Sequence, residues 1–252
     1  MSQVCSKCGE VVQPGFKFCN VCGNAIEEQP DPGSLPPKAE SYSELLGVAG
    51  RTMRILNGEN AGRFVVIYPD CTIGRSGAEV DIADDAALSP VHFFIKATDS
   101  GAAITDCESL NGVFLRASDK VILRPNDIIR AGDHYFLYEY FPNDSLGSDF
   151  GAEFYATPSR GERFRLVEIL EGGLRSRARC AADSIVVGRC EGDFVISDDK
   201  RMSPKHFTIR WTQRGGILVD HSDNGTFVQI HQDTPIQSGD IFFAGQTLFQ
   251  VC

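Results

Sequence analysis

The sequence has little that would hold it in a membrane or on a polyanion. No stretch approaches the roughly 18 consecutive apolar residues of a membrane span, and the uncharged run from Ile241 to Cys252 is interrupted by Gln246, Thr247 and Gln250. No membrane insertion is expected. The opening MSQVCSKCGE carries neither the basic segment nor the apolar segment of a secretory signal, so the expected address is the cytoplasm. Positive charge is in deficit: 24 Lys and Arg stand against 34 Asp and Glu, a formal net charge of −10. Nucleic-acid binding needs a basic face that displaces counterions, so a nucleic acid is not the expected partner. Catalytic signatures are also missing. There is no GxxxxGK[ST] and no credible GxGxxG. Ser89 and Ser203 stand three residues before His92 and His206, but no acid completes a triad and no nucleophile elbow surrounds either serine. The chain is therefore not expected to be an enzyme. Strong 3.6-residue periodicity is hard to find after residue 50, which argues against a helical fold.

Cysteine is abundant, with nine residues, but no disulfide framework is visible. Four of them, Cys5, Cys8, Cys19 and Cys22, form two CxxC knuckles near the start, and the other five are scattered. An odd total without a secretory signal points to reduced thiols plus a metal site. Each CxxC lets two thiolates of one tight turn face one ion, and four thiolates give the closed tetrahedral coordination of structural Zn²⁺. A module this short cannot fold on its apolar surface alone, so zinc would supply its folding energy. The knuckles, including the Phe-Cys-x-x-Cys-Gly of Phe18 to Gly23, resemble the small zinc ribbons at the N-termini of many bacterial proteins. With all four positions filled the ion is structural rather than catalytic.

The organisation reads as a zinc ribbon at 1–28, a Pro-rich linker at 29–46, a strand-rich region at 47–141, a second linker at 142–161 and a second strand-rich region at 162–252. Short runs of Val, Ile, Phe and Tyr, such as RFVVIYP, VHFFIKA, HFTIRW and DIFFAG, are broken by Gly, Asp, Asn and Pro. That spacing predicts sandwiches or barrels. The two regions are copies. An offset of 114 residues relates Gly74-Arg75 to Gly188-Arg189, and Ser89-Pro90-Val91-His92 to Ser203-Pro204-Lys205-His206. After a one-residue difference in a turn, an offset of 113 relates Asn111-Gly112 to Asn224-Gly225 and Asp127-Ile128 to Asp240-Ile241. The period is too long for a solenoid, so tandem domains are expected.

Each copy places an arginine, a serine and an asparagine in or beside turns, where binding residues collect. A guanidinium, a hydroxyl and a carboxamide together suit a phosphate ester. For Arg75 and Arg189 the competing reading is a surface ion pair, for instance with Asp84 or Asp198. The order Gly-Arg, Ser-x-x-His, Asp, Asn-Gly, present twice, resembles the forkhead-associated (FHA) domain. The resemblance implies an all-β chain with two 11-strand β-sandwiches that bind phosphothreonine peptides through loops at one end. It further implies that Arg75 and Arg189 contact the phosphate, that Ser89 and Ser203 donate hydroxyls to it, and that Asn111 and Asn224 hold the peptide backbone. His92 and His206 would brace the loops. The implied role is an adaptor for Thr-phosphorylated proteins downstream of a Ser/Thr kinase.

Several residues depart from the family pattern. Pro90 and Pro204 follow the serines where a polar or basic side chain is common. Leu110 and Asp223 stand before the asparagines where a Ser or Thr hydroxyl often helps, and Asp223 would place a carboxylate near the phosphate. Asp198-Asp199-Lys200-Arg201 and Lys205 give the second copy cations that the first copy's Asp84-Asp85-Ala86-Ala87 lacks, so the second copy is the better candidate reader. Arg175, Arg177 and Arg179 alternate and would share one face of a strand, most simply a solvated one. The competing function is a phosphate-independent protein scaffold, with one or both pockets degenerate.

Overall fold

The structure, a computed structural model, describes residues 3–4, 11–12, 51–67, 70–98, 101–118, 120–141 and 161–252. Cys5, Cys8, Cys19 and Cys22, the linker at 29–46 and residues 142–160 of the second linker lie outside the described residues. The chain divides into two compact units, Met1–Ala49 and Gly50–Cys252. In the first unit, β1 (Gln3–Val4) and β2 (Val11–Val12) pair antiparallel, Gln3 opposite Val12.

The described residues of the second unit are all-β apart from one 3₁₀ turn at Glu171–Gly173. The first repeat supplies β3 (Arg51–Ile55), β4 (Phe64–Ile67), β5 (Cys71–Gly74), β6 (Val80–Asp81), β7 (Phe93–Thr98), β8 (Gly101–Asp106), β9 (Val113–Arg116), β10 (Val121–Leu123), β11 (Ile128–Ala131) and β12 (His134–Tyr140). The second supplies β13 (Phe164–Ile169), β14 (Arg175–Ala181), β15 (Ser184–Gly188), β16 (Phe194–Val195), β17 (Phe207–Thr212), β18 (Gly215–Asp220), β19 (Thr226–Gln229), β20 (Thr234–Ile236), β21 (Ile241–Ala244) and β22 (Thr247–Val251). Each repeat thus has one strand fewer among the described residues than the eleven expected. These segments are rich in β-branched and aromatic residues, and burial alternates along them, as in β22. No helix among the described residues is long and apolar enough to cross a membrane.

The strand order overturns the expectation that 47–141 and 162–252 fold as separate domains. A ten-stranded sheet runs β14-β13-β12-β11-β19-β9-β21-β22-β3-β4. It is faced by two five-stranded sheets, β10-β18-β17-β15-β16 and β20-β8-β7-β5-β6. The last three strands of each repeat therefore pair with the other repeat. β10 joins β18, β11 joins β19, and β12 joins β13. Reciprocally, β20 joins β8, β21 joins β9, and β22 joins β3. The chain crosses between the two sandwiches on passing from β9 to β10 and from β19 to β20.

The cores follow this exchange. One contains Met53, Ile73, Phe93 and Val113 of the first repeat together with Ile236, Phe242, Phe249 and Val251 of the second. The other contains Leu123, Ile129, Phe136 and Tyr138 of the first with Phe164, Val187, Phe207 and Leu218 of the second. Equivalent aromatic pairs bridge the repeats edge to face, Phe93 with Phe249 at 5.7 Å and Phe207 with Phe136 at 5.8 Å. Burying one such ring stabilises the fold by about 1.5–3 kcal/mol. Because the exchanged strands carry much of both cores, neither sandwich is complete without the other repeat.

Candidate functional site

In each sandwich the loops that carry the predicted arginine, serine and asparagine come from one repeat, so the exchange leaves each constellation together. Gly74 ends β5, and Arg75 follows it. A Cβ at Gly74 would fall on the carbonyl oxygen of Pro90, and one at Gly188 on that of Pro204. Only glycine permits this approach, which ties the arginine loop to the serine loop. The tie is completed by backbone bonds from Arg75 N–H to Ser89 O and from Arg189 N–H to Ser203 O, both 2.9 Å. Both arginine side chains are half-buried, and neither forms an ion pair or hydrogen bond among the described residues. The ion pair with Asp84 does not form. Asp84 instead accepts a bond of 2.8 Å from the Asn60 amide.

His92 and His206 are fully buried. The Ser89 N–H donates to His92 Nδ1 at 2.9 Å, and the Ser203 N–H donates to His206 Nδ1 at 3.0 Å. Since Nδ1 accepts, the ring hydrogen resides on Nε2, which faces Gly112 O at 3.1 Å and Gly225 O at 3.3 Å in the respective repeats. Burial pushes the pKa of both imidazoles down, holding them neutral against the pull of nearby backbone carbonyls and aspartates. Each histidine thus joins the serine loop to the asparagine loop. Asn111 and Asn224 donate across the same gap, to Ala87 O at 2.7 Å and to Arg201 O at 2.8 Å.

The asparagine loops are built alike. Asp106 accepts from the Ser109 hydroxyl at 2.6 Å, and Asp220 from the Ser222 hydroxyl at 2.7 Å. Asp220 gains a further bond of 2.8 Å from Thr226 Oγ1, where the first repeat has Val113. Burial works to raise the Asp220 pKa, but the bonds from Ser222 and Thr226 outweigh it and hold the carboxyl below its ordinary value.

The two sites diverge at the serine. Ser89 Oγ accepts the Leu110 N–H at 3.0 Å, and Ser203 Oγ accepts the Asp223 N–H at 3.2 Å. The Ser203 hydroxyl also points its proton at Asp223 Oδ2, 3.4 Å away. Leu110 offers no such acceptor, and its side chain is 90% exposed beside Asn111. The cations expected to enrich the second site divide as well. Arg201 is engaged in an ion pair with Asp133, while Lys200 and Lys205 are exposed and unpaired among the described residues. Arg175, Arg177 and Arg179 belong to other work. They lie on the edge strand β14, where Arg175 pairs with Glu139 at 3.1 Å and Arg177 with Glu168 at 2.9 Å. Arg179 donates to Asp193 O and lies over the Phe194 ring.

Asp85 and Asp199 are site residues that the motif order missed. Each is buried, and each fixes its serine loop to a turn contributed by the other repeat. Asp85 Oδ2 accepts from the Gln246 N–H at 2.8 Å and from Thr247 Oγ1 at 2.7 Å. Asp199 Oδ2 accepts from the Asp133 N–H at 2.8 Å. The 114-residue offset between Asp85 and Asp199 was the signal that marks them. No cluster of three or more His, Cys, Asp or Glu suited to a metal occurs among the described residues.

Comparison with curated proteins finds no match. Among solved structures, one described as "Structural and functional analysis of phosphothreonine-dependent FHA domain interactions" aligns at 24% identity over 37% of this chain and 98% of its own, with a TM-score of 0.24. The family model of the FHA domain matches residues 71–132 and 185–245, each stretch running from the strand before the arginine to the turn at Gly132 or Gly245, so two stretches of the chain are similar to the FHA domain.

Proposed function

We propose that this protein is a non-catalytic, cytoplasmic adaptor that binds Thr-phosphorylated proteins downstream of a Ser/Thr kinase. The observation that carries the reading is the twice-built constellation of an unpaired guanidinium, a serine hydroxyl and a pinned carboxamide, Arg75-Ser89-Asn111 and Arg189-Ser203-Asn224. Arginine supplies directed, permanently charged donors suited to a phosphate. The second site is ranked as the stronger reader because Lys200 and Lys205 add free cations there. The exposed Leu110 at the lip of the first site favours an apolar, phosphate-independent contact in that copy. Binding of the whole protein to paired phosphorylated and unphosphorylated threonine-peptide libraries tests the function. Arg189→Ala should weaken phosphopeptide binding about tenfold or more, the scale of a lost charge-assisted contact, and Arg75→Ala should cost less. Loss from neither substitution would leave the scaffold reading in its place.

The N-terminal knuckles extend the proposal. Cys5, Cys8, Cys19 and Cys22 would hold one structural Zn²⁺ per chain, a reading supported by the CxxC spacing. Elemental analysis of the purified protein should find zinc that disappears when the four cysteines are replaced by serine.

A further inference from the structure

We propose that Arg116, a residue of the first repeat, completes the second site and gives it a preference for an acidic side chain beside the phosphothreonine. The inference rests on the reading of that site given above. The strand exchange is what brings Arg116 there. β9 and β19 run antiparallel with Arg116 opposite Phe227, so the end of β9 lies beside the start of β19, where Asn224-Gly225 enters the strand. A Cβ at Gly225 would stand 2.5 Å from Arg116 Nε and 3.0 Å from its Cζ. The guanidinium therefore lies against the residue next to Asn224. A repeat closed on its own strands would not pair β9 with β19.

The side chain of Arg116 is half-buried and has no hydrogen bond or ion pair among the described residues. A guanidinium carries five N–H donors and stays charged at every relevant pH, so it offers an unclaimed anion contact. It reaches the site from the ten-stranded sheet, whereas Arg189 follows β15 of the facing five-stranded sheet. In the proposed reading Arg189 and Ser203 take the phosphate, and Arg116, lying against Gly225 next to Asn224, takes a group that flanks it. A carboxylate flanking the phosphothreonine matches that position.

The equivalent residue of the second repeat is Gln229, and its amide lies against Gly112, next to Asn111 of the first site. A neutral amide there confers no charge preference. The two sites therefore differ in what they read beside the phosphothreonine, and in each the discriminating side chain is supplied by the other repeat.

The test uses the full chain carrying Arg75→Ala, so that only the second site reports. Phosphothreonine peptides with Asp or Asn at each flanking position are compared. The parent should favour Asp at one position by about fivefold, the scale of a partly exposed ion pair. Arg116→Gln should abolish that preference by lowering affinity for the Asp peptide more than for the Asn peptide, and Arg116→Lys should restore part of it. In an Arg189→Ala background, Gln229→Arg should create the preference at the first site. The inference is overturned if Arg116→Gln keeps the full preference, which would assign it to Lys200 or Lys205, or if it weakens all phosphopeptides equally with folding intact, which would make Arg116 part of the phosphate clamp. If instead Arg189→Ala leaves phosphopeptide binding untouched in the Arg75→Ala chain, the reading of the site itself has failed.

Discussion

Leu115 sits directly opposite Val228 in antiparallel strands, and the two occupy equivalent positions of their repeats. A residue that faces its own repeat-mate lies on a local two-fold axis. The axis relates two sandwiches that have traded their closing strands, one built from β3–β9 with β20–β22 and the other from β10–β19.

Cutting the chain within residues 142–160 distinguishes this arrangement from two self-closed domains. With the strands exchanged, the fragments before and after the cut each hold part of both cores, so they should co-elute as one folded species after cleavage at an engineered protease site. Separation into two folded pieces under native conditions would mean that each repeat closes on itself.

Gly188→Ala should damage the second site more than any surface change. The added methyl meets the Pro204 carbonyl, which is backbone and cannot swing away. A cost of about 1–3 kcal/mol is expected from such overpacking, with loss of phosphopeptide binding in the Arg75→Ala background. Denaturant titration and peptide binding check the two effects. Undiminished binding would show that the arginine and serine loops are not locked by this contact.

Asp223→Ser should raise phosphopeptide affinity at the second site. The substitution removes a carboxylate from a hydroxyl it now competes for, freeing Ser203 to donate to phosphate. The gain should be larger at low salt than at high salt. A clear fall in affinity with folding intact would show that Asp223 orients its loop or contacts a basic ligand residue.

Acid should weaken the fold as pH drops through the ordinary histidine range. His92 and His206 have folded pKa values below that of an unfolded histidine because they are buried. Above the unfolded value both states are neutral and the stability is fully present. Below it the unfolded chain takes protons that the folded chain refuses, so stability declines. Protonation would also remove the Nδ1 acceptor that Ser203 N–H uses. His206→Gln keeps an acceptor and a donor but cannot titrate. The slope of denaturant midpoint against pH, between about pH 7 and about pH 5, should be shallower in that variant than in the parent. An unchanged slope would assign the acid sensitivity to other groups.

Much of the fold was legible in the sequence because strand alternation and turn residues are local properties. The runs around Phe93, Phe207 and Phe242 are β-strands as expected, and Asn111 and Asn224 stand in bends between strands. The pairing of those strands was not legible. Asp127-Ile128 and Asp240-Ile241 open closing segments with the same strand–turn–strand pattern, sharing Asp-Ile, Ala-Gly and the core phenylalanines Phe136 and Phe249, so either repeat presents a similar hydrogen-bonding edge and apolar face to either partner. Nothing in the residues says which one is taken. The composite parts of the sites were hidden for the same reason. Arg116 lies in a strand, outside every loop motif, and acquires its neighbour Gly225 only through the exchange. The alternation of Arg175, Arg177 and Arg179 was visible, but Glu139, the partner of Arg175, lies on β12 of the other repeat, whose place in this sheet the sequence does not encode.

The closing pair β3 and β22 gives the unit a mechanical order. Val251 lies opposite Met53, and the Cys252 N–H donates to Thr52 O at 2.8 Å, so residues 51 and 252 emerge at the same end of one antiparallel ladder. A pull applied across these residues peels that ladder one hydrogen bond at a time rather than shearing it along its length. The segment 120–229 enters and leaves through the two short crossings beside the axis. It feels tension only after the outer sandwich has opened, so load on the chain is spent in sequence, and the site at Arg75 fails before the site at Arg189.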